Sequence, residues 1–422
     1  MRWAEVSEGG PVLCVAVDPI DAEVMYAGTW AGLYRSTDAG ASWSLVDLPF
    51  ADPVFSLSWD PQGSRLFAGG AGRIFVTERS GSEWAILQLP ADGAPPVSAF
   101  VVHPDSPSLV FAGTRGRGAF RSDDGGVSWT AMELREEFAR SDPRASEVTD
   151  MAFEPKSGNL FVATLGGLFR GRTTLTRADV YAILALVFRP QDSRLYAATA
   201  SWISSWEPIP SIYGGTTPGS RDEKETGTEP SYISDLALDP HDPSVLWAGD
   251  RTGLYRGRFN VDQATGQQMI AWSKVSGVRG PISSIASSPV QAGLTVAGAL
   301  TGFWMSTDNG TSWHRSSAGM RAHHFLNVVP VHASPATLFG LAYSFLFNEE
   351  QWVQVFRSTD SGETWTLSLE TPILGRPYLR WLEAGPAGAQ GFSELVNEDR
   401  SALPRRLVPS RTSWNLPVGR SR

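Results

Sequence analysis

The sequence predicts an all-β protein built from repeated four-stranded antiparallel units, and three observations support this prediction. A phrase of the form S-x-D-x-G-x-x-W occurs intact four times along the chain. A second phrase also recurs, in which a strand ends in a polar residue plus proline and an apolar strand follows after a turn. The 42 Gly, 29 Pro and 16 Trp residues are typical of many short strands joined by turns.

Each copy of the first phrase lies between two short apolar runs, as the turn of a β-hairpin does. Asp accepts hydrogen bonds from nearby backbone N–H groups, Gly permits a positive φ, and Ser adds a second local acceptor. The Trp ends the turn and is expected to bury its apolar ring there. We therefore expect a structural role for the four copies, which consist of Ser36, Asp38, Gly40 and Trp43; Ser122, Asp124, Gly126 and Trp129; Ser306, Asp308, Gly310 and Trp313; and Ser358, Asp360, Gly362 and Trp365.

The second phrase sets the length of the repeated unit. Its turn prolines lie about 35 to 51 residues apart, which is the length of a four-stranded propeller blade. Each unit is then strand a, the proline turn, strand b, a short turn, strand c, the S-x-D-x-G-x-x-W turn and strand d. The sequence thus predicts a single β-propeller domain over residues 1–422, with eight or nine blades and nine favoured by unit count. The turn prolines are Pro19, Pro61, Pro104, Pro155, Pro190, Pro240 and Pro289, followed more weakly by Pro335 and Pro386.

Some units depart from the pattern. Unit two has Arg79 where the acid is expected, and units four and six lose the turn phrase. Residues 1–8 resemble a strand d without strands a to c, so we expect them to pair with the C-terminal blade and close the ring. Small residues at one place in strand b predict close approach of neighbouring blades; they are Ala27-Gly28, Ala68-Gly69, Ala112-Gly113, Ala248-Gly249 and Ala297-Gly298.

Charge and cysteine content exclude some classes of protein. With 35 Lys and Arg against 44 Asp and Glu, the chain lacks the positive charge that a general nucleic-acid binder needs. Cys14 is the only cysteine, so an internal disulfide is excluded, and its apolar surroundings predict a buried side chain. The chain shows neither a signal-peptide segment nor an apolar run of membrane-spanning length. These features predict a soluble cytoplasmic protein, or a secreted one if a leader has been removed.

The S-x-D-x-G-x-x-W turns resemble the Asp-box, or BNR, repeat of sialidase-like β-propellers. The same repeat occurs in sortilin-type receptors, family 74 xyloglucanases and photosystem assembly factors, and the resemblance covers nearly the whole chain. It implies a propeller fold in which the box is structural. A sialidase would carry an Arg-Ile-Pro motif, which this chain lacks, and family 74 xyloglucanases carry a catalytic Asp where this chain has Trp30. The resemblance therefore implies the fold and weakens the case for catalysis.

Binding residues are expected on the face that carries the b–c and d–a connections. Two long b–c loops, residues 200–210 and 342–354, concentrate aromatic side chains there. A lid or an oligomer contact is the alternative use of these loops. With Trp30, the candidate binding aromatics are Trp202, Trp206, Tyr343, Phe345, Phe347 and Trp352.

Charged residues on the same face give two further hypotheses. Arg115, Arg117 and Arg251, together with Arg73, could form a cationic rim for an acidic ligand or partner, as the resemblance to photosystem assembly factors suggests. Ordinary surface arginines are the alternative.

A glycosidase needs two carboxyl groups roughly 5 to 10 Å apart. The sequence offers weak acid candidates but pairs none of them, and solvated acids are the alternative; the candidates are Glu207, Asp250, Glu349 and Glu350.

The sequence predicts no metal and no cofactor. The adjacent His323 and His324 lack a matched carboxylate, and neither a phosphate-binding loop nor a nucleophile-elbow motif occurs. The leading functional hypothesis is a non-enzymatic propeller that binds a protein or a glycan. The alternatives are a carbohydrate-active hydrolase or lyase, and a structural subunit of a larger assembly.

Overall fold

The computed structural model divides the chain into two compact units, and each is described by itself below. One unit is Glu8–Ala322, and the other combines Met1–Ser7 with His323–Arg422. The prediction of one domain over residues 1–422 stays a prediction. The residues that the structure describes are 9–49, 52–90, 95–134, 142–154, 158–179, 182–191, 194–199, 212–214, 223–227, 230, 233–261, 268–320, 325–331, 334–345, 351–359, 366–373, 379–384 and 392–397.

The larger unit contains seven β-sheets among its described residues. Sheet 1 is β1 Val12–Val17, β2 Met25–Thr29, β3 Gly32–Ser36 and β4 Ser44–Leu45. Sheet 2 is β5 Ser56–Trp59, β6 Arg65–Gly69, β7 Arg73–Glu78 and β8 Trp84–Gln88. Sheet 3 is β9 Val97–His103, β10 Ser106–Thr114, β11 Gly118–Ser122 and β12 Thr130–Ala131.

The next four sheets continue in chain order. Sheet 4 contains β13 Glu133–Leu134, β14 Val148–Phe153, β15 Leu160–Thr164, β16 Gly167–Gly171 and β17 Thr174–Asp179, with a 3-10 turn at Pro143–Ser146 before β14. Sheet 5 is β18 Ile183–Arg189, β19 Arg194–Thr199 and β20 Ile212–Gly214. Sheet 6 contains β21 Glu223–Gly227, β22 Asp235–Leu238, β23 Val245–Asp250, β24 Gly253–Val261 and β25 Gln268–Arg279. Sheet 7 is β26 Ile282–Ser287, β27 Thr295–Ala299, β28 Gly302–Ser306 and β29 His314–Arg315.

The smaller unit contains a four-stranded sheet and a hairpin in its described part. The sheet is β30 Phe325–Val331, β31 Ser334–Phe345, β32 Gln351–Ser358 and β33 Thr366–Ile373. The hairpin is β34 Leu379–Ala384 with β35 Phe392–Asn397. Within the described residues of the whole chain, no helix has the length and apolar character needed to cross a membrane.

Six of the seven sheets contain four antiparallel strands in the predicted order a, b, c and d, and sheet 5 has three described strands. Polar residues begin the a–b turns because their side chains accept hydrogen bonds from backbone N–H groups of the turn. Asp18 is buried, and its Oδ1 accepts hydrogen bonds from the backbone of Ile20 at 2.8 Å and Asp21 at 3.0 Å. Asp239 forms the same turn after β22. The predicted antiparallel propeller blade is therefore confirmed.

The seven sheets form a closed ring, because a hydrophobic cluster fills each interface between neighbours. Six clusters join consecutive sheets from 1 to 7, and a seventh joins sheet 7 to sheet 1. In that closing cluster Val12 and Met25 pack with Val296 and Phe303. The hydroxyl of Ser283 also donates to the Val12 carbonyl across this interface.

This closure corrects the predicted blade number. A ring of eight or nine blades is wrong, since the first sheet packs directly against the seventh. Sheet 1 is also complete from its own four strands. The predicted closing strand over residues 1–8 lies outside the described residues. Unit eight of the sequence, which supplies β30 to β33, falls in the smaller compact unit.

The small residues of strand b permit this packing, as predicted. A Cβ added to Gly28 would lie 2.4 Å from the Cys14 sulfur and 2.7 Å from the Val54 carbonyl oxygen of sheet 2. Such distances are shorter than van der Waals contact, so the neighbouring strand would have to move. Cys14 is buried, as its apolar surroundings predicted.

The S-x-D-x-G-x-x-W turns in sheets 1, 3 and 7 share one hydrogen-bond pattern. In sheet 1, the Ser36 hydroxyl donates to Asp38 Oδ1 at 2.8 Å and accepts from the Gly40 backbone at 2.9 Å. Ser42 then donates its backbone N–H and hydroxyl to the Asp38 carboxylate. The Ser128 and Ser312 hydroxyls and backbone groups lower the pKa of Asp124 and Asp308 to about 2. In the fourth copy Ser358 is buried, and Asp360, Gly362 and Trp365 lie outside the described residues.

In sheets 1, 3 and 7 the tryptophan of this turn packs on the preceding sheet of the ring. Trp43 lies 4.6 Å from Phe303 of sheet 7, and Trp313 lies 5.7 Å from Trp247 of sheet 6, measured between ring centroids. These contacts explain why the phrase ends in an aromatic residue. In sheet 2, where the acid is replaced, Arg79 Nε instead bonds Asp18 Oδ2 of sheet 1 at 3.1 Å.

Candidate functional site

One face of the ring carries the described b–c turns and the starts of strands a, which are the inner strands of the ring. Antiparallel pairing places Val12, which starts strand a, beside Thr29 at the end of strand b. Thr29 in turn pairs with Gly32 at the start of strand c. We call this end of the seven sheets the b–c face. Trp30, Asp250 and the four candidate arginines lie on it.

Trp30 is a partly exposed aromatic side chain on the b–c face. It occupies the turn between β2 and β3, and its ring lies 5.5 Å from that of Phe55 in an edge-on arrangement. Phe55 precedes the inner strand of sheet 2 and is also partly exposed. The edge contact fixes the orientation of the indole. Trp30 therefore presents an aromatic surface between sheets 1 and 2, and the contact with Phe55 fixes its orientation.

Asp250 is a turn cap, which weakens its candidacy as a catalytic acid. It is buried, and its Oδ1 accepts the Thr252 backbone N–H at 2.6 Å, the Thr252 hydroxyl at 2.8 Å and the Gly253 backbone N–H at 2.9 Å. Thr29 and Thr164 occupy the same register in sheets 1 and 4, where each hydroxyl donates to the first residue of strand c at 2.9 Å. The sequence did not reveal this equivalence because an acid replaces a hydroxyl at one repeat.

Arg73 and Arg115 have carboxylates beside them. Arg73 Nη1 donates to Asp52 Oδ2 at 2.6 Å. Arg115 forms a backbone bridge with Glu147; burial lowers the pKa of Arg115 to about 9, while the charge of Glu147 opposes this change. These neighbours reduce the positive charge that the predicted cationic rim would offer. Arg117 is exposed and Arg251 is partly exposed.

The predicted long loop over residues 342–354 is largely strand. Tyr343 pairs with Val353 and Phe345 pairs with Gln351, so β31 and β32 extend the hairpin through most of this segment. Aromatic and β-branched residues, which favour strands, explain why strand pairing continues here. Trp352 lies in β32. The remaining candidates of the two loops lie outside the described residues; they are Trp202, Trp206, Glu207, Phe347, Glu349 and Glu350.

Two acids on inner strands were missed by the sequence analysis. Asp150 lies in β14 of sheet 4; its Oδ1 accepts the Met151 N–H at 2.7 Å and its Oδ2 accepts the Leu186 N–H of sheet 5 at 2.6 Å. Asp235 lies in β22 of sheet 6 and accepts the Leu236 N–H at 2.8 Å and the Ile285 N–H of sheet 7 at 2.5 Å. Each carboxylate therefore links its own inner strand to the next one.

The environment of these acids favours the neutral form. Both side chains are partly exposed, yet protein atoms surround the carboxyl groups on nearly every side. Burial raises the pKa of Asp150 to about 6 and that of Asp235 to about 8, and the charge of Asp150 adds to the rise at Asp235. The backbone hydrogen bonds oppose both shifts because they favour the ionised form.

The sequence did contain a signal for these acids. The phrases VTDMAFEP and ISDLALDP place Asp150 and Asp235 in strand a, one residue after a hydroxyl. Ala99 and Ala185 occupy the corresponding place in other units. The sequence alone therefore shows an acid within an otherwise apolar strand. Among the described residues, no group of three or more His, Cys, Asp or Glu side chains could hold a metal ion, and His323 and His324 lie outside them.

Comparison with known proteins supports the fold assignment. No family model matches the chain. A curated relative, the xyloglucanase of Hypocrea jecorina (strain QM6a), is 24% identical over 329 residues, which cover 71% of this chain and 32% of the relative. The chain thus spans about a third of that relative's length.

Solved structures give the same result. The GH74 xyloglucanase from Xanthomonas campestris has a TM-score of 0.58 at 14% identity, covering 89% of this chain and 70% of that one. An ancestral GH74 enzyme has a TM-score of 0.56 at 17% identity, covering 87% and 55%. The β-propeller domain of Cps50 (Swd1) from Myceliophteria thermophila has a TM-score of 0.50 at 14% identity, covering 70% and 96%. The chain is a β-propeller whose structural neighbours include GH74 xyloglucanases, as the sequence resemblance implied.

Proposed function

We propose that this β-propeller binds a glycan at the b–c face without hydrolysing it. The observation that carries the proposal is Trp30, a partly exposed indole held edge-on by Phe55. The C–H groups of a sugar ring pack against the face of such an aromatic side chain. Function in rigid scaffolds concentrates at connections between strands, and Trp30 lies in one.

The relatives favour a glycan over other ligands. The similar curated protein and one of the structural neighbours are xyloglucanases, so a β-glucan such as xyloglucan is the first ligand to test. Binding without hydrolysis is favoured because Trp30 stands where the resemblance places a catalytic acid, and because Asp250 is engaged in its turn. Both features favour a surface that binds a ligand over a site that performs acid–base catalysis.

Affinity electrophoresis through gels containing xyloglucan tests this function. We expect xyloglucan to retard the full chain, and Trp30→Ala to raise the apparent Kd at least about tenfold, since a buried aromatic contact contributes more than 1 kcal/mol. The control is Val127→Ala. Val127 is 76% exposed in a turn on the opposite face, so its truncation should leave binding unchanged. Equal retardation of Trp30→Ala and the wild-type chain would refute the assignment of Trp30.

Glycoside hydrolysis is the second candidate function. Two observations favour it: the similarity to a xyloglucanase, and the presence of two acids, Asp150 and Asp235, on inner strands of the same ring. Release of reducing ends from xyloglucan is the measurement, and we expect none. Turnover that Asp150→Asn or Asp235→Asn abolishes would replace the binding proposal with a hydrolase. Asp250→Thr is the matched control because threonine caps the same turn in sheets 1 and 4.

A further inference from the structure

Lys274 of sheet 6 is an exposed cation with a fixed position on the b–c face. Its ammonium donates to the hydroxyl of Thr252, in the b–c turn, at 2.8 Å and lies 5.4 Å from the centre of the Tyr255 ring. The Tyr255 hydroxyl also lies 2.8 Å from the Thr252 hydroxyl. These contacts restrict a side chain that is otherwise flexible. An ammonium has three N–H donors, so two remain for a ligand.

Arg315 of sheet 7 occupies the equivalent position. Tyr255 pairs with Lys274 between strands c and d of sheet 6, and Trp304 pairs with Arg315 in the same way in sheet 7. The Trp304 indole donates to the hydroxyl of Thr301, in the b–c turn, at 3.0 Å. A threonine, a polar aromatic residue and a cation therefore occur at one place in two neighbouring sheets.

Both cations extend from strand d to the b–c face. A Cβ added to Gly302, the first residue of β28, would lie 2.8 Å from Arg315 Nε, and one added to Gly9 would overlap Arg315 Nη2. Lys274 passes the corresponding glycine of sheet 6, because a Cβ added to Gly253 would lie 3.3 Å from Lys274 Cε. Glycine at these positions thus leaves space for each cationic side chain beside the b–c turn.

The first four sheets lack this combination. In place of the threonine, sheets 1 to 4 have Ala31, Gly72, Arg117 and Gly166. In place of the strand-d cation they have Leu45, Ile86, Ala131 and Arg177. Sheet 4 has the cation without the hydroxyl, and the b–c turn of sheet 5 lies outside the described residues. The combination therefore marks one sector of the face.

Few acids lie near this sector among the described residues. Asp250 lies one hydroxyl away from Lys274, and its Oδ1 accepts the Thr252 hydroxyl at 2.8 Å as well as two backbone N–H groups. Asp235 lies on the inner strand of sheet 6 and accepts backbone N–H groups. Arg251 adds a partly exposed cation to the turn that contains Thr252. The sector thus presents cations, while its acids accept hydrogen bonds from the protein itself.

The cations and Trp30 lie on three consecutive sheets. Lys274 belongs to sheet 6, Arg315 to sheet 7 and Trp30 to sheet 1, which packs on sheet 7. Leu45 of sheet 1 occupies the strand-d position of the two cations, and it is 57% exposed. A chain molecule that follows these b–c turns therefore meets two positive charges and then an apolar, aromatic surface.

We propose that the b–c face binds an acidic glycan, with carboxylates at Lys274 and Arg315 and a neighbouring sugar ring on Trp30. This inference rests on the proposed glycan-binding function and specifies the class of glycan. A carboxylate accepts a hydrogen bond from an ammonium and two parallel bonds from a guanidinium. The net charge of −9 repels polyanions in general, so binding depends on these local cations.

Isothermal titration calorimetry with carboxymethyl cellulose and hydroxyethyl cellulose tests the proposal, because the two polymers share a β-glucan backbone and only the first is anionic. We expect the full chain to bind carboxymethyl cellulose at least about tenfold more tightly, which is about 1.4 kcal/mol. Lys274→Gln with Arg315→Gln should remove most of this preference and leave the affinity for hydroxyethyl cellulose unchanged. Both side chains are exposed, so the double variant should fold.

Arg258→Gln is the matched control for the loss of positive charge. Arg258 lies in β24, as Tyr255 does, but toward the opposite face, where its guanidinium is 3.4 Å from the Asp242 carboxylate. This variant should keep the wild-type preference for the anionic polymer. Polyacrylate is the control ligand because it supplies carboxylates without sugar rings, and we expect it to bind more weakly than carboxymethyl cellulose.

Trp30→Ala distinguishes failure of this inference from failure of the proposed function, since it should weaken binding to both cellulose polymers alike. Equal wild-type affinity for the two polymers, both weakened by Trp30→Ala, would overturn the acidic-glycan inference alone. A preference that the double variant abolishes and Trp30→Ala leaves intact would support the cations and refute the role of Trp30. Polyacrylate binding as tight as that of carboxymethyl cellulose would refute a glycan ligand, and binding of neither cellulose polymer would refute both proposals.

Discussion

Replacing Gly69 with alanine is expected to destabilise the ring by more than about 2 kcal/mol. The added Cβ would lie 2.3 Å from Ser56 Oγ and 2.6 Å from the Val97 carbonyl oxygen. The carbonyl belongs to the inner strand of sheet 3, so relief requires movement of backbone and not only of a side chain. The same methyl would also disturb the hydrogen bond from Ser56 to Val97. Urea unfolding followed by tryptophan fluorescence measures the loss.

Sheet 4 supplies the matched control for this substitution. Ala163 occupies the register of Gly69, since Ala163 pairs with Leu168 as Gly69 pairs with Ile74. Ala163→Gly removes a methyl that the ring already accommodates, and it should cost only about 1 kcal/mol. If Gly69→Ala were as stable as the wild-type protein, the inner strands of sheets 2 and 3 would not lie as close as described.

The second large effect is expected for Trp247→Ala, at about 3 to 5 kcal/mol. Trp247 is fully buried between sheets 6 and 7, with Trp313 on one side. The guanidinium of Arg256 lies 5.7 Å from its ring. Gly310 packs against the indole, where a larger residue would clash because an added Cβ would lie 2.2 Å from the Trp247 ring. Truncation would leave a cavity in the interface that the S-x-D-x-G-x-x-W turn of sheet 7 covers.

A conservative variant separates packing from any special role of the indole. Tyr26 and Phe111 occupy the register of Trp247, and each pairs with an arginine on strand c. Trp247→Phe should therefore cost clearly less than Trp247→Ala when both are measured by urea unfolding. Equal losses in the two variants would contradict the packing explanation.

The blade and its internal order could be predicted because their signals are local. Asp38 bonds its own turn, and Asp18 bonds the two residues after its proline turn, so a few residues of sequence specify each corner. The glycines of strand b were predicted for the same reason, since they recur at one place in the unit. Repetition made each local signal stronger.

Blade number could not be predicted in the same way. Ring closure depends on Val12 meeting sheet 7 across some 270 positions of sequence, as the contact with Ser283 shows. The phrase that defines a unit says nothing about this distant contact. Unit eight keeps the phrase, including Ser358, although it lies in the other compact unit. Counting units therefore overestimated the ring.

The candidate site was predicted only in part. Trp30 was identified and lies on the b–c face, whereas Asp250 was proposed as an acid and is a turn cap. Asp150 and Asp235 were not predicted, because candidate acids were expected in loops and these two lie within strands. Comparing each strand a across the units would have found them. Aligning the repeated strands thus identifies functional candidates that short sequence motifs do not contain.

Unfolding of two truncated chains tests the central claim, which is that seven sheets close the ring by packing sheet 7 on sheet 1. A chain ending at Ala322 retains every cluster of the ring, so we expect it to fold and to unfold cooperatively in urea. A chain ending at Gly280 lacks β26 to β29 and exposes Val12 and Trp247, so we expect it to lose cooperative unfolding. An unfolded chain ending at Ala322, or a chain ending at Gly280 with the same urea midpoint, would contradict the seven-sheet ring.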